Sequence, residues 1–185
     1  MLFRSEIVTV TGAELGGENA ARLYSTLSLP ENALNIVTLH GDIRGEIDLR
    51  RLAGKNIDYL ALGHLHTYAR GAIDERGAYA YSGCLEGRGF DECGGKGFVI
   101  LETSASAAGR RRITSEFIVS SLRRLEEYRV DVSAAKDDFD ARRIAENAIS
   151  ARSCDLVRAV LTGEVSFDRA ALETDRKSVG RERVC

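Results

Sequence analysis

The chain lacks a C-x-x-C pair among its four cysteines, lacks any apolar run longer than a strand, and carries almost no net charge, −2 over 185 residues. Each absence removes a class of protein. Scattered cysteines with no secretory leader predict reduced thiols in a cytoplasmic protein, not a disulfide framework. Strand-length apolar runs leave no segment that spans a membrane. A near-balanced charge gives no global pull toward nucleic acid, so any DNA or RNA contact is a local patch. No internal repeat is present. What remains is 44% hydrophobic and 29% charged, the composition of a globular protein able to bury a core.

Periodicity predicts an α/β chain of the α+β kind. Residues 6–12, "EIVTVTG", alternate and are β-branched, as a strand is. Gly16 and Gly17 break it. Ala20, Leu23, Tyr24 and Leu27 share one face of a helix that ends before Pro30. "NIVTL" and "DYLAL" are buried-type strands, separated by a short helix, "IDLRRLA", that Gly54 stops. "AYAYSG" and "FVILE" are further strands, with the glycine-rich "GCLEGRGFDECGGKG" between them. Residues 103–112, "TSASAAGRRR", mark a domain boundary. Beyond it come two strands, a helix over 138–150 with Ala141, Ile144, Ala145, Ala148 and Ile149 on one stripe, and a third strand. The expected division is 1–103, 112–174 and a basic tail at 175–185. One back-translation of residues 175–178, GATCGGAAGAGC, matches a common sequencing adapter, so the tail reads as an assembly artefact or a disordered end.

Histidine is the scarce residue. All three histidines follow buried strands: His40 in "VTLHGD", and His64 and His66 in "ALGHLH". Residues i and i+2 of an extended chain point to one side, so H-x-H can aim two imidazoles into one cavity. In sheets of buried strands, ligands gather at the carboxyl ends. Imidazole suits manganese, iron, zinc or nickel. Two such ions about 3.5–4 Å apart suit phosphoester hydrolysis. A lone histidine after a strand is usually a hydrogen-bonded turn residue; the metal reading rests on the set, each at a strand terminus, with His40 and His64 beside glycine.

"NIVTLHGD", "IDYLALGHLH" and "YSGCLEGRGFDECGGKGFVILE", taken in that order, resemble the second half of a calcineurin-like metallophosphoesterase. More narrowly, they resemble the SbcD-type DNA repair exonucleases. The similarity runs over residues 6–173, and the block 81–102 points to the nuclease branch. The resemblance implies the C-terminal half of a two-sheet β-sandwich flanked by helices, followed by a small α+β capping unit. It implies that His40 and His64 bind the second metal and His66 the first, with two divalent ions, manganese above all, as cofactors. It implies DNA as substrate, an SbcC-type coiled-coil ATPase as partner, and a homodimer. The family's D-x-H, G-D-x-x-D and G-N-H-D/E motifs do not occur here, so no catalytic residue is assigned and the chain is expected to begin inside the catalytic domain. Three histidines cannot fill two metal shells of about four to six ligands each. The expectation is weak or single-metal binding and no nuclease activity from this chain alone. A small-molecule phosphatase of the same fold, and a non-catalytic module that binds a partner or DNA, are the alternatives.

Other features carry less. A phosphate loop ending at Lys96 needs Gly at position 90 and Ser or Thr at 97, where Phe90 and Gly97 stand. Arg88 is a candidate for a DNA phosphate, or pairs with Glu86 or Asp91. Cys84 and Cys93 with the H-x-H match no zinc-finger spacing. Arg110 to Arg112 and the pair Arg123 and Arg124 are balanced by Glu126, Glu127, Asp137 and Asp138, so a solvated face is expected of them. Asp42 is expected as a turn residue.

Overall fold

The computed structural model describes residues 8–13, 19–105, 111–150, 155–168 and 172. The tail at 175–185, Gly16, Gly17 and the middle of the stretch 103–112 lie outside them. The fold is mixed α/β, as periodicity predicts. Nine strands and three helices follow in chain order among the described residues: β1 (Val8–Ala13), α1 (Asn19–Thr26), β2 (Leu34–His40), α2 (Leu49–Leu52), β3 (Tyr59–Gly63), β4 (Ala69–Ala72), β5 (Ala78–Tyr81), β6 (Gly97–Ala105), β7 (Arg111–Val119), β8 (Leu125–Asp131), α3 (Asp138–Ser150) and β9 (Leu156–Thr162). Among them no helix is long and apolar enough to cross a membrane. The chain divides into two compact units, one of residues 1–85 and 96–120, the other of 86–95 and 121–185.

The first unit is built on a five-stranded sheet of order β1-β2-β3-β5-β4. The first four strands are parallel and β4 is antiparallel to β5. Alternation along β2 and β3 sends Val37, Leu39, Leu60 and Leu62 to one face. There they join Tyr81 of β5, Tyr24 of α1 and Leu52 of α2 in the core. Leu23 of α1 and Leu27, just after its end, pack against the same cluster, on the face the spacing predicts. Side chains such as Leu52 and Leu60 are fully buried, and each contributes about 1.5–3 kcal/mol. Asp48 caps α2 by accepting from the Arg50 amide, which is why so short a helix holds.

The opposite face of the sheet carries Tyr59, Ala61 and Ala80. With Phe98, Val99 and Leu101 of β6 they line a cavity of about 260 Å³. β6 pairs with β7 over the full length of both strands. β6 ends at Ala105 and β7 begins at Arg111, within the stretch 103–112, and the division by contacts falls after Ser120.

At the amino ends of the strands, Arg76 holds the loops together. Its guanidinium donates two bonds of 2.9 Å to Asp58 and further bonds to the carbonyls of Glu31 and Ala33 and to Asn56 Oδ1. The bidentate fork explains why arginine stands here.

The second unit pairs β8 and β9 in parallel, with α3 as the crossover between them. Ala141 of α3 packs with Val130, Val132 and Ala135, and Ile144, Ala148 and Ala159 close around them. This stripe is the one predicted for residues 138–150.

Candidate metal centre

The parallel register decides what the histidines can do. His40 is the last residue of β2 and stands directly opposite Gly63, the last residue of β3. His64 follows at once. The rings of His40 and His64 meet edge to face, with centroids 5.6 Å apart and planes at 82°. With metal–nitrogen bonds of about 2.1 Å, two imidazoles on one ion place their ring centres roughly 5–6 Å apart. The centroid spacing of the pair falls in that range.

Two backbone features make the approach possible. A Cβ on Gly63 would lie 2.7 Å from His40 Nδ1, so only glycine leaves room for that imidazole across β3. His64 has a φ of 106°, a left-handed conformation rare for a residue with a Cβ. Such a conformation costs about 1–3 kcal/mol and collects at functional sites. It also changes the H-x-H argument. The extended chain ends at Gly63, so His64 and His66 do not share a face through strand alternation, as the spacing suggested.

His66 is exposed, and its carbonyl is anchored. It accepts 2.8 Å from Lys96 Nζ and 3.5 Å from Cys84 Sγ. Lys96, where the phosphate-loop spacing fails, is 2% exposed. Gly83, at φ 76°, packs so close that a Cβ would sit 3.2 Å from the same carbonyl.

The loop after His40 is tied down in a comparable way. Asp42 Oδ1 accepts from the Arg44 amide, and the Asp42 amide donates to Glu46 Oε2. Asp42 is thus the turn residue expected. Tyr81 Oη, fully buried, donates 2.8 Å to the Gly41 carbonyl and accepts 3.0 Å from the Ile43 amide. Burial pushes the Tyr81 hydroxyl above its ordinary value, the Asp42 charge adding to it against the Ile43 amide. The proton therefore stays in place at neutral pH. Neither Tyr81 nor Lys96 could be assigned from sequence: Tyr81 bonds the backbone of Gly41 and Ile43, and Lys96 the carbonyl of His66, all distant in the chain.

Among the described residues no group of three His, Cys, Asp or Glu is placed to hold a metal ion. Two imidazoles are the donor set in hand. Cys84 and Cys93 each donate to a backbone carbonyl, of His66 and Phe90 respectively. Arg88 belongs to the second unit. Its amide donates 2.8 Å to Glu92 Oε2 and its guanidinium lies 3.5 Å from Glu92 Oε1. The partner is Glu92, not Glu86 or Asp91, and the i,i+4 spacing was the available signal. Glu86 instead accepts from the amides of Leu122 and Arg123. Arg123 and Arg124 pair with Glu86 and Glu126, as a solvated face does.

No family model matches the chain, and no curated protein matches it.

Proposed function

We propose that the chain supplies the histidine ligands of a divalent-metal centre that hydrolyses DNA phosphodiester bonds in the manner of the SbcD-type nucleases. The observation that supports this reading is the His40–His64 pair at the carboxyl ends of adjacent parallel strands, with ring centroids 5.6 Å apart. A bound ion, manganese by the resemblance, would polarise a phosphoryl oxygen and lower the pKa of a bound water. The chain's own residues hold and orient it. His40 is set by Gly63 and the loop after it, His64 by its strained backbone, and His66 stands ready on the loop that Lys96 anchors.

By itself the chain binds one ion weakly and leaves DNA intact, because two or three imidazoles do not fill two shells. An SbcC-type ATPase, a second copy of the chain and a cytoplasmic setting belong to the same proposal and rest on the resemblance. A non-catalytic module that binds DNA or a partner is the second reading. It is favoured by the lack of a third metal-holding donor among the described residues. Calorimetric titration of zinc and manganese into the chain and into His40→Ala and His64→Ala, beside a manganese-dependent DNA cleavage assay, tests the proposal. One site, lost in both variants, with no cleavage is the expected result. No binding by the unaltered chain at millimolar ion refutes the metal centre, and cleavage refutes the claim of inactivity.

A further inference from the structure

We infer that Tyr81 is a positioning residue for the metal centre: its buried hydroxyl fixes the loop that aims His40. The inference rests on the reading of His40 and His64 as a metal pair.

The geometry behind it is a strut that crosses the sheet. Tyr81 ends β5, which is separated from β2 by β3. In register, Tyr81 stands beside Leu62, and Leu62 beside Leu39. The tyrosine ring lies in the core with both leucines, and its hydroxyl reaches the chain just beyond His40. There it bonds the two peptide groups on either side of Asp42, one as acceptor and one as donor. A hydroxyl that both gives and takes fixes position and orientation together, which a single bond does not.

The loop itself is a closed unit. The Asp42 carbonyl accepts from the amides of Gly45, Glu46 and Ile47, and Glu46 folds back onto the Asp42 amide. Such a unit moves as one piece. The Gly41 amide donates 3.3 Å to the Gly63 carbonyl, a bond at the long end of the range. Losing the Tyr81 hydroxyl therefore leaves that long bond as the hold on the chain just beyond His40, so the last pair of the ladder, His40 with Gly63, loosens and His40 shifts relative to His64. Metal ligation tolerates errors of about 0.2 Å, so a small shift suffices to weaken binding.

Tyr24 provides the control. It lies in the same core cluster, and its hydroxyl accepts 2.9 Å from the Asp48 amide, beyond the turn and away from His40. Tyr81→Phe and Tyr24→Phe each remove one buried hydroxyl and leave the ring. Both are expected to lower Tm to a similar extent. Zinc affinity separates them: Tyr81→Phe is expected to weaken it at least 10-fold, and Tyr24→Phe to leave it within about 2-fold. Amide exchange in the metal-free protein gives a second readout, with faster exchange at Ile43 in Tyr81→Phe only. Zinc binding by Tyr81→Phe within 2-fold of the unaltered chain overturns the inference. Equal losses in both variants overturn it too, since they indicate general loosening. Failure of the unaltered chain to bind zinc refutes the metal centre itself.

Discussion

Gly63→Ala puts a methyl group where His40 now lies, and the structure sets the size of the effect. The new Cβ would be 2.7 Å from His40 Nδ1, and ordinary contact begins near 3.4 Å, so the imidazole must retreat by roughly 0.7 Å. Gly63 does not adopt a positive φ, so the backbone accepts alanine. His40 is exposed, so its ring can swing into solvent at little cost. The fold should therefore hold or gain about 0.4–1 kcal/mol from the reduced freedom of the unfolded chain. Metal binding should move the other way. A displacement several times the tolerated error removes His40 from any ion held with His64, and affinity should fall about 10–100-fold. The assay is zinc calorimetry paired with thermal melts, with Gly45→Ala as control because nothing lies within 4 Å of its added methyl. Unchanged affinity in Gly63→Ala would refute the close approach of His40 across β3. A large drop in Tm would refute the claim that the ring moves freely.

Three further outcomes follow from the same coordinates. Arg76→Ala should destabilise the first unit by about 2–4 kcal/mol in urea titration, because Asp58, only 11% exposed in its side chain, is left without its bidentate partner. Tyr59 is raised to about 12, burial first and Tyr68 second. The folded state therefore favours the neutral phenol, and that contribution is present below pH 10 and lost as pH rises toward 12. Tyr59→Phe should flatten the alkaline limb of a stability–pH curve. Burial raises Asp74, but the amides of Gly54, Gly77 and Arg76, with the Arg76 charge, hold it below 3.8. Its contribution is present above that value and is lost as pH falls through the lower folded one. Asp74→Asn should weaken the protein at neutral pH and remove part of the acid-limb slope.

The strands and helices were legible where period and burial agree. The stripe in 138–150 found a counterpart because one face of the helix meets a core; the alternation in residues 6–12 found β1, which is held by its pairing with β2 although Val8 and Val10 are exposed. β4 was not legible. It has four residues, "ARGA", with no apolar pattern, and it exists because the edge of β5 offers it a partner. The histidines were legible as a set, since each follows a buried strand. Spacing alone suggested His64 and His66 as the pair, while the resemblance implied His40 and His64 on one metal; the register of β2 against β3 brings the rings of His40 and His64 together. Register depends on pairing between distant segments, which local sequence does not encode. The roles of Tyr81 and Lys96 were hidden because their side chains bond backbone atoms of loops distant in the chain.

The parallel ladder also gives the His40–His64 pair a place in time. A hairpin such as β4–β5 closes on the scale of microseconds, but β2 and β3 run parallel and can align only after the chain between them has crossed over. Pairs of that kind form late and open as a unit. An ion held by His40 and His64 would clasp the two strands at their shared end and slow that opening. The amides of β2 and β3 would then exchange with solvent more slowly in its presence, while those between β8 and β9 would keep their own pace.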